Sequence, residues 1–504
     1  MINKVGQSVT CGLTAGIAAV VLTGHILRAT PHDRPGVVVA KVALRVAGSP
    51  IARSFLGLSI EYGPTISNMI ASADGHRRSL ERLLNAWGRR NGPPILRIGG
   101  NSEDMAAWDL PLVKHHRRAI TINITSRFCH NIRRLCQRTG VRLILGLNLG
   151  RGSPAMARRW VREALKRIGA NHILAFEIGN EPDAYVLTHQ RRTGYTLADY
   201  ESDFARFANA IKPLMPRPGM IAGPAFSCFW LKGQTAAFIR RMHRMLGLVT
   251  VHDYPLGIRR AIPQTTSVRY DSVAHLLDRR SSYIYYSIIR PAVIAATPFH
   301  LPVRWGEMNS AAGGGDQGIS DSFASVLWLT NSLFYAAKAG AAGVNLHNAG
   351  AKLCPYSIFR YDHAGQLVPH PDYDAMLLFA AAASHHAKLL PVRIRGGARV
   401  RVWATRDTRD HVRVVIVNSR LHHVARVILP AAGYEAAAMV TVTAPDIRSV
   451  NMPVWHKRRF GDSKPSVLNM SGLMPIKHTG FSVRVPPTSI YMLTLKRPSG
   501  KSGK

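Results

Sequence analysis

The stretch ILAFEIGNEPD, residues 173–183, opens with six residues that read as one buried strand. It breaks at Gly179 into a polar turn carrying Asn180, Glu181, Pro182 and Asp183. A short, continuous apolar run of this kind suits a strand covered on both faces, as in a parallel sheet. The pattern recurs at FLGLSI (55–60), ILRI (95–98), RLILGL (142–147), MIAG (220–223), LVTVH (248–252), VRWGE (303–307) and GVNLH (343–347). Between the runs lie helix-like stretches such as LADYESDFARFANAIKPL (197–214) and FASVLWLTNSLFYAAKAG (323–340). Eight strand–helix units over roughly 300 residues are the arithmetic of a (β/α)8 TIM barrel. A doubly wound parallel sheet is the alternative that the same alternation permits.

Beyond residue 392 the period changes. VRVW (400–403), VRVVIV (412–417), ARVILP (425–430), MVTVTAP (439–445) and SIYMLTL (489–495) are β-rich and separated by turn residues. They predict a C-terminal antiparallel β-sandwich. The β-branched run VVVAKVALRV (37–46) precedes the barrel and is assigned to the same sandwich. The expected organisation is a catalytic barrel over 50–385 and a discontinuous sandwich from 37–49 plus 386–497.

The apolar stretch VTCGLTAGIAAVVLTGHIL (9–27) follows a single Lys4 and has a short core from Gly12 to Leu22. It reads as the h-region of a signal peptide or as an anchor, so residues 1–30 predict export (periplasmic or extracellular) or attachment to a membrane through that segment alone. RATPHDRPG (28–36) reads as a linker. The five cysteines include no Cys-x-x-Cys pair, which excludes a disulfide-dense scaffold and that type of zinc site.

Chemistry in such a barrel sits at the carboxyl ends of the strands. The fourth run ends in FEIGNEPD (176–183) and the seventh in RWGEMNS (304–310), so Glu181 and Glu307 each follow a buried strand and converge on one cleft. Two carboxylates flanking a bond are what glycoside hydrolysis requires. One protonates the departing oxygen; the other attacks the anomeric carbon or activates water. Glu177, within the fourth run, reads as a barrel-interior residue rather than a reacting one.

LRIGGN (96–101), LILGLN (143–148), FEIGNEPDAY (176–185), VTVHDYPL (249–256) and GEMNSAAGGGDQGISDSFASVLW (306–328) together resemble glycoside hydrolase family 79, which holds β-glucuronidases and heparanases. The likeness covers most of the barrel, and PPTSIYMLTL (486–495) is more weakly similar to the family's C-terminal domain. The resemblance implies a retaining β-glucuronidase that removes terminal glucuronate through a covalent glycosyl-enzyme. Glu307 is then the nucleophile, Glu181 the acid/base, and Asn180 a partner of the sugar 2-hydroxyl. It also implies that His252 and Tyr254 line the site. Gly313, Gly314 and Gly315 with Tyr356 would hold the uronate carboxylate, and Glu61 and Asn101 would touch sugar hydroxyls. Ala312 stands where many family members carry an aromatic, and Asp316 brings an acid close to the loop. The reaction requires no metal and no organic cofactor.

The chain of 504 residues carries 66 Lys and Arg against 28 Asp and Glu, a formal net charge of +38. Such a surface attracts polyanions. Basic pairs such as HHRR (115–118), RR (240–241) and HKRR (456–459) are spread over both predicted domains. The expected partners are glucuronic-acid-containing glycans or glucuronides, with a sulfated polysaccharide drawn to the basic surface. Specific nucleic-acid binding is not expected, because no module is present and the basic pairs lack aromatic interleaving. Two further readings stand beside the main one. One is an endo-β-glucuronidase of the heparanase type acting on heparan sulfate. The other is a non-catalytic binder of acidic glycan or nucleic acid.

Overall fold

The computed structural model describes residues 36–71, 76–109, 120–231, 233–258, 269–350, 353–459, 473–476 and 480–498. The expected export or anchor segment and the HHRR run at 115–118 lie outside the described residues. Among the described residues, no helix is long and apolar enough to cross a membrane.

All eight apolar runs are strands of one closed, parallel barrel. They are β1 (Gly57–Glu61), β2 (Ile95–Gly99), β3 (Arg142–Leu147), β4 (Ile173–Ile178), β5 (Ile221–Phe226), β6 (Leu248–Asp253), β7 (Val303–Met308) and β8 (Gly343–Asn348). Each pairs with its neighbour in chain order, and β8 closes on β1. The runs are apolar throughout because one strand face meets the barrel interior and the other meets the helix ring.

The helices between them start where the sequence offers caps. Thr196 accepts from the Asp199 amide while the Asp199 carboxylate accepts from the Thr196 amide, a reciprocal box that opens the helix Leu197–Ile211. At the amino end of the barrel Arg304 acts as a polar plug. It donates to Asn345 Oδ1 (2.5 Å) and to the carbonyls of Phe55 (3.1 Å) and Val344 (2.9 Å). Burial lowers its pKa to about 9.

The second domain is a sandwich of a five-stranded and a seven-stranded sheet. Its seven-stranded sheet is apolar on both faces, with period two. Val402, Ala404, Val414, Ile416 and Leu493 face the other sheet. Their neighbours Trp403, Val415, Val417, Ile490 and Met492 pack into the core of the barrel domain. Trp403 stacks on Phe334 (5.3 Å between centroids) and donates its indole N–H to Asn331 Oδ1 (3.0 Å). Both partners lie on the helix Phe323–Ala339, which is buried on almost every side because it is trapped between barrel and sandwich. The loop at Ile447–Ser449 accepts from the amides of Ala324 and Phe323, so the sandwich caps that helix where Ser322 offers no side-chain cap.

The sandwich departs from the antiparallel expectation in one place. Gly36–Val42 pairs antiparallel with Val392–Arg395 but parallel with Ala425–Pro430. Parallel neighbours need a long crossover. Here the whole barrel is inserted between them.

Candidate active site

The turn after β4 places Glu181 over the barrel mouth. Its backbone sits in the left-handed region (φ 48°, ψ 55°), held by a hydrogen bond that the Glu181 N–H donates to the Ala225 carbonyl (3.1 Å). A non-glycine residue there costs on the order of 1–2 kcal/mol, so the surrounding contacts must impose it. Asp183 supplies much of that restraint. Its carboxylate accepts from the backbone amides of Ser227 (3.0 Å), Phe229 (3.1 Å) and Trp230 (3.0 Å), tying the turn to the loop after β5. Burial raises its pKa to about 6, and the neighbouring Glu181 adds to the rise. Asp183→Ala leaves three amides without their acceptor and is expected to lower unfolding free energy by about 2–4 kcal/mol. Urea denaturation measures this; a change below about 0.5 kcal/mol would show that the turn holds without the carboxylate.

Glu307 lies at the end of β7 and is buried. One oxygen, Oε2, accepts from Arg97 Nη1 (2.8 Å) and lies 3.3 Å from His347 Nδ1. The other, Oε1, accepts from the Tyr254 hydroxyl (2.5 Å). Burial alone would raise the Glu307 pKa. The imidazoles of His347 and His252, the Arg97 guanidinium and the Tyr254 hydroxyl outweigh it and hold the carboxyl well below the usual range. His252 Nδ1 is 3.2 Å from Glu181 Oε1. One oxygen of Glu181, one oxygen of Glu307 and a His252 ring nitrogen lie within 4.8 Å of one another. That trio has the donor types of a divalent-cation site. Arg97 and Tyr254 already occupy Glu307, which favours an anionic carboxylate held ready over a metal ligand.

Arg97 joins the two halves of the site. Besides Glu307 it binds Glu177 (Nε to Oε2, 2.5 Å), Asn180 Oδ1 (2.8 Å) and Ser59 Oγ (3.0 Å). Burial opposes its charge, but Glu177 and Glu307 keep it firmly protonated. Glu103, 3.6 Å away, is raised well above the usual carboxylate range by burial. Asn180 is thereby oriented: its oxygen is held by Arg97, and its amide nitrogen donates to Asn101 Oδ1 (3.0 Å) at the exposed rim. Glu61 accepts from the Ser102 amide (2.8 Å) and lies 3.7 Å from His347 Nε2; burial raises its pKa.

The Gly-rich loop follows β7. Gly313, Gly314 and Gly315 take φ of 85°, 104° and 76°, where side chains are disfavoured. A Cβ on Gly315 would lie 2.3 Å from Ser320 Oγ, and one on Gly314 would lie 3.0 Å from Cys354 Sγ. The Gly314 carbonyl accepts from the Tyr356 amide (3.1 Å), and the Tyr356 ring stacks with Tyr254 (6.0 Å, 22°). Loop, Tyr356, Tyr254 and Glu307 are therefore one connected wall. Asp271 braces it from behind, accepting from the Asp316 amide (3.0 Å) and the Ser320 hydroxyl (2.5 Å). Ala312 pairs with Gly257 in a short parallel ladder beneath the loop.

The structure thus brings Glu181, Glu307, Asn180, His252, Tyr254, Tyr356, Glu61, Asn101 and the glycines to one mouth. Arg97, His347, Asp183 and Asp271 were not singled out from the sequence. A signal for the first existed: an arginine inside the apolar run ILRI must face a buried anion. His347 ends the run GVNLH, the position that carries chemistry on the other strands.

No protein-family model matches the chain. It is similar to proteins named β-glucuronidase from Neurospora crassa (24% identical over 335 residues) and Aspergillus niger (23% over 334 residues). These matches cover 59% and 60% of this chain and span 58% and 59% of the fungal proteins' own lengths. Among solved structures, a 4-O-α-L-rhamnosyl-β-D-glucuronidase from Fusarium oxysporum superimposes with a TM-score of 0.69 at 16% identity. That match covers 90% of this chain and all of the other. A family 51 arabinofuranosidase from Xanthomonas axonopodis pv. citri gives 0.67 at 16% identity, covering 91% of this chain and all of the other. At these identities the structural matches speak for the fold.

Proposed function

We propose that the chain is a glycoside hydrolase that removes terminal β-linked glucuronic acid with retention. The observation that carries this reading is the carboxylate pair: oxygens of Glu181 and Glu307 lie within 4.8 Å at the mouth of a (β/α)8 barrel. Retaining enzymes hold their two carboxyl groups about 5–5.5 Å apart, while inverting ones leave room for a water at about 6.5–9.5 Å. Similarity to fungal β-glucuronidases supports glucuronides as the substrate class.

In the first step Glu307, kept anionic by Arg97 and Tyr254, attacks the anomeric carbon. Glu181 gives its proton to the departing oxygen. In the second step Glu181 takes a proton from water, which displaces Glu307 and releases glucuronate. Asn180 has one amide hydrogen beyond its bond to Asn101 with which to meet the 2-hydroxyl. The substrate carboxylate is assigned to the backbone of Gly313–Gly315 and to Tyr356, without the aromatic that Ala312 replaces. Export through residues 9–27 remains part of this proposal.

The test uses 4-nitrophenyl β-glucuronide followed by proton NMR. The first-formed sugar is expected to be the β-anomer; the α-anomer appearing first would exclude retention. The matching β-glucoside, which lacks the carboxylate, is expected to react about 10⁴–10⁵-fold more slowly, because polar groups built for the acid are left unpaired. Equal rates would show that the Gly-rich loop does not read a carboxylate.

A further inference from the structure

A cavity of about 960 Å³ lies away from the carboxylate pair, between two barrel helices and the sandwich. One wall is the helix Arg279–Ser287 with the carboxyl-terminal half of Phe323–Ala339. The other is formed by Lys388–Leu390, Val400–Arg406 and the turn at 396–399. Among the described residues, none that contacts Glu181 or Glu307 lines it.

The chemistry of its walls is specific. The ring of Tyr286 stacks on Tyr283 (5.4 Å). Tyr283 meets the edge of Tyr335 (5.3 Å), and Tyr335 meets Trp403 (4.7 Å). Tyr335 and Trp403 are buried and Tyr283 and Tyr286 half-buried, so the aromatic row is a rigid wall. Among the described residues, five basic side chains share the lining: Arg279, Arg280, Lys338, Arg399 and Arg401. Arg279 lies 4.9 Å above the Tyr283 ring and Lys338 5.7 Å above Tyr286. Among the described lining residues there is one carboxylate, Asp278, and it is engaged elsewhere. Its Oδ2 binds Arg269 (3.0 Å) and its Oδ1 caps the helix through the Arg280 amide (2.9 Å). Cation–π contacts of exposed cations are worth only about 0.5–1 kcal/mol, so Arg279 and Lys338 can still turn to an anion.

We propose that this cavity is a second, non-catalytic binding site for an acidic saccharide, with carboxylate or sulfate groups held by Arg279, Lys338 and Arg401 beside the tyrosine wall. The choice of saccharide rests on the glucuronidase reading; the existence of an anion site does not. A concave pocket of this size accepts a few sugar rings. Arginine favours planar or tetrahedral oxyanions through paired N–H donors. Among the described lining residues basic side chains outnumber the single carboxylate five to one, which favours an anionic ligand over an uncharged one. A polymer held here and at the barrel mouth would gain effective concentration at the active site.

The test is calorimetric titration of the full chain carrying Glu307→Gln, which prevents turnover, with a heparin hexasaccharide. Adding Arg279→Ser and Arg401→Ser to that chain is expected to weaken binding at least tenfold. The slope of log affinity against log salt should also fall by about 1.5–2. In the otherwise wild-type chain the same pair should leave kcat/KM for 4-nitrophenyl β-glucuronide within twofold. Lys338→Ser, at an exposed position, gives a second reading should the pair disturb folding. Unchanged affinity in these variants would overturn the site. So would a 20-nucleotide single-stranded DNA binding as tightly and losing as much, since the cavity would then be a general polyanion sink. Cavity-dependent binding without nitrophenol release from the wild-type chain would sink the catalytic reading and leave this site standing.

Discussion

Glu307→Gly is expected to lower kcat on 4-nitrophenyl β-glucuronide by roughly four to six orders of magnitude, the scale on which loss of a nucleophile acts. Azide should then restore turnover. It fits the space that the side chain vacates and attacks the anomeric carbon from that face, giving an α-glucuronosyl azide by a single inversion. Glu181→Gly behaves differently. Under the proposed retaining mechanism the glycosyl-enzyme is still expected to form from a substrate with a good leaving group, and azide is expected to intercept it from the opposite side to give the β-azide. The two configurations, read by NMR, assign the two roles separately. Azide products of the same configuration from both variants would reverse or abolish the assignment. A Glu307→Gly chain with intact turnover would remove it altogether.

Arg97→Met is expected to damage both stability and chemistry. Arg97 is fully buried and bound to Glu177 and Glu307, so its loss leaves two carboxylates without their shared cation. Breaking such a buried pair from one side costs about 3–5 kcal/mol. The chemical effect follows from sign. Arg97 helps hold the Glu307 carboxyl below its ordinary pKa, and without it that pKa rises. The acid limb of kcat/KM, which reports ionisation of Glu307 in the free enzyme, should therefore move to higher pH. In the intact protein the depressed group favours folding above its unfolded pKa, about 4.3, and that contribution fades as pH falls toward the folded value. Adding Glu177→Gln to Arg97→Met should recover part of the stability and little of the activity. Recovery of both would mean that Arg97 serves only to neutralise Glu177.

The barrel was legible because its strands are covered on both faces and therefore appear as uninterrupted apolar runs. Glu181 and Glu307 were legible because each sits where such a run ends. For Arg97 only the burial was legible, from its place inside the run ILRI; its partner was not, because 210 residues separate it from Glu307 along the chain. His347 likewise acquires its meaning from Glu61 and Glu307, which come from two other strands. In the sandwich, the strand Val454–Arg459 lies at the edge of its sheet and carries the basic run HKRR, so it lacks the apolar signature that exposed the inner strands. The parallel pairing of Gly36–Val42 is invisible in its own residues, which would suit either direction.

The seven-stranded sheet, greasy on both sides, makes the two domains a single cooperative body rather than beads on a string. Severing the chain near residue 386 would strip the cover from Phe334 and Asn331 and the cap from Phe323 and Ala324. That helix begins eight residues after Gly315. The sandwich is therefore a structural wall of the barrel: it covers and caps the helix that follows the Gly-rich loop, and it cannot be shuffled onto another scaffold without repacking.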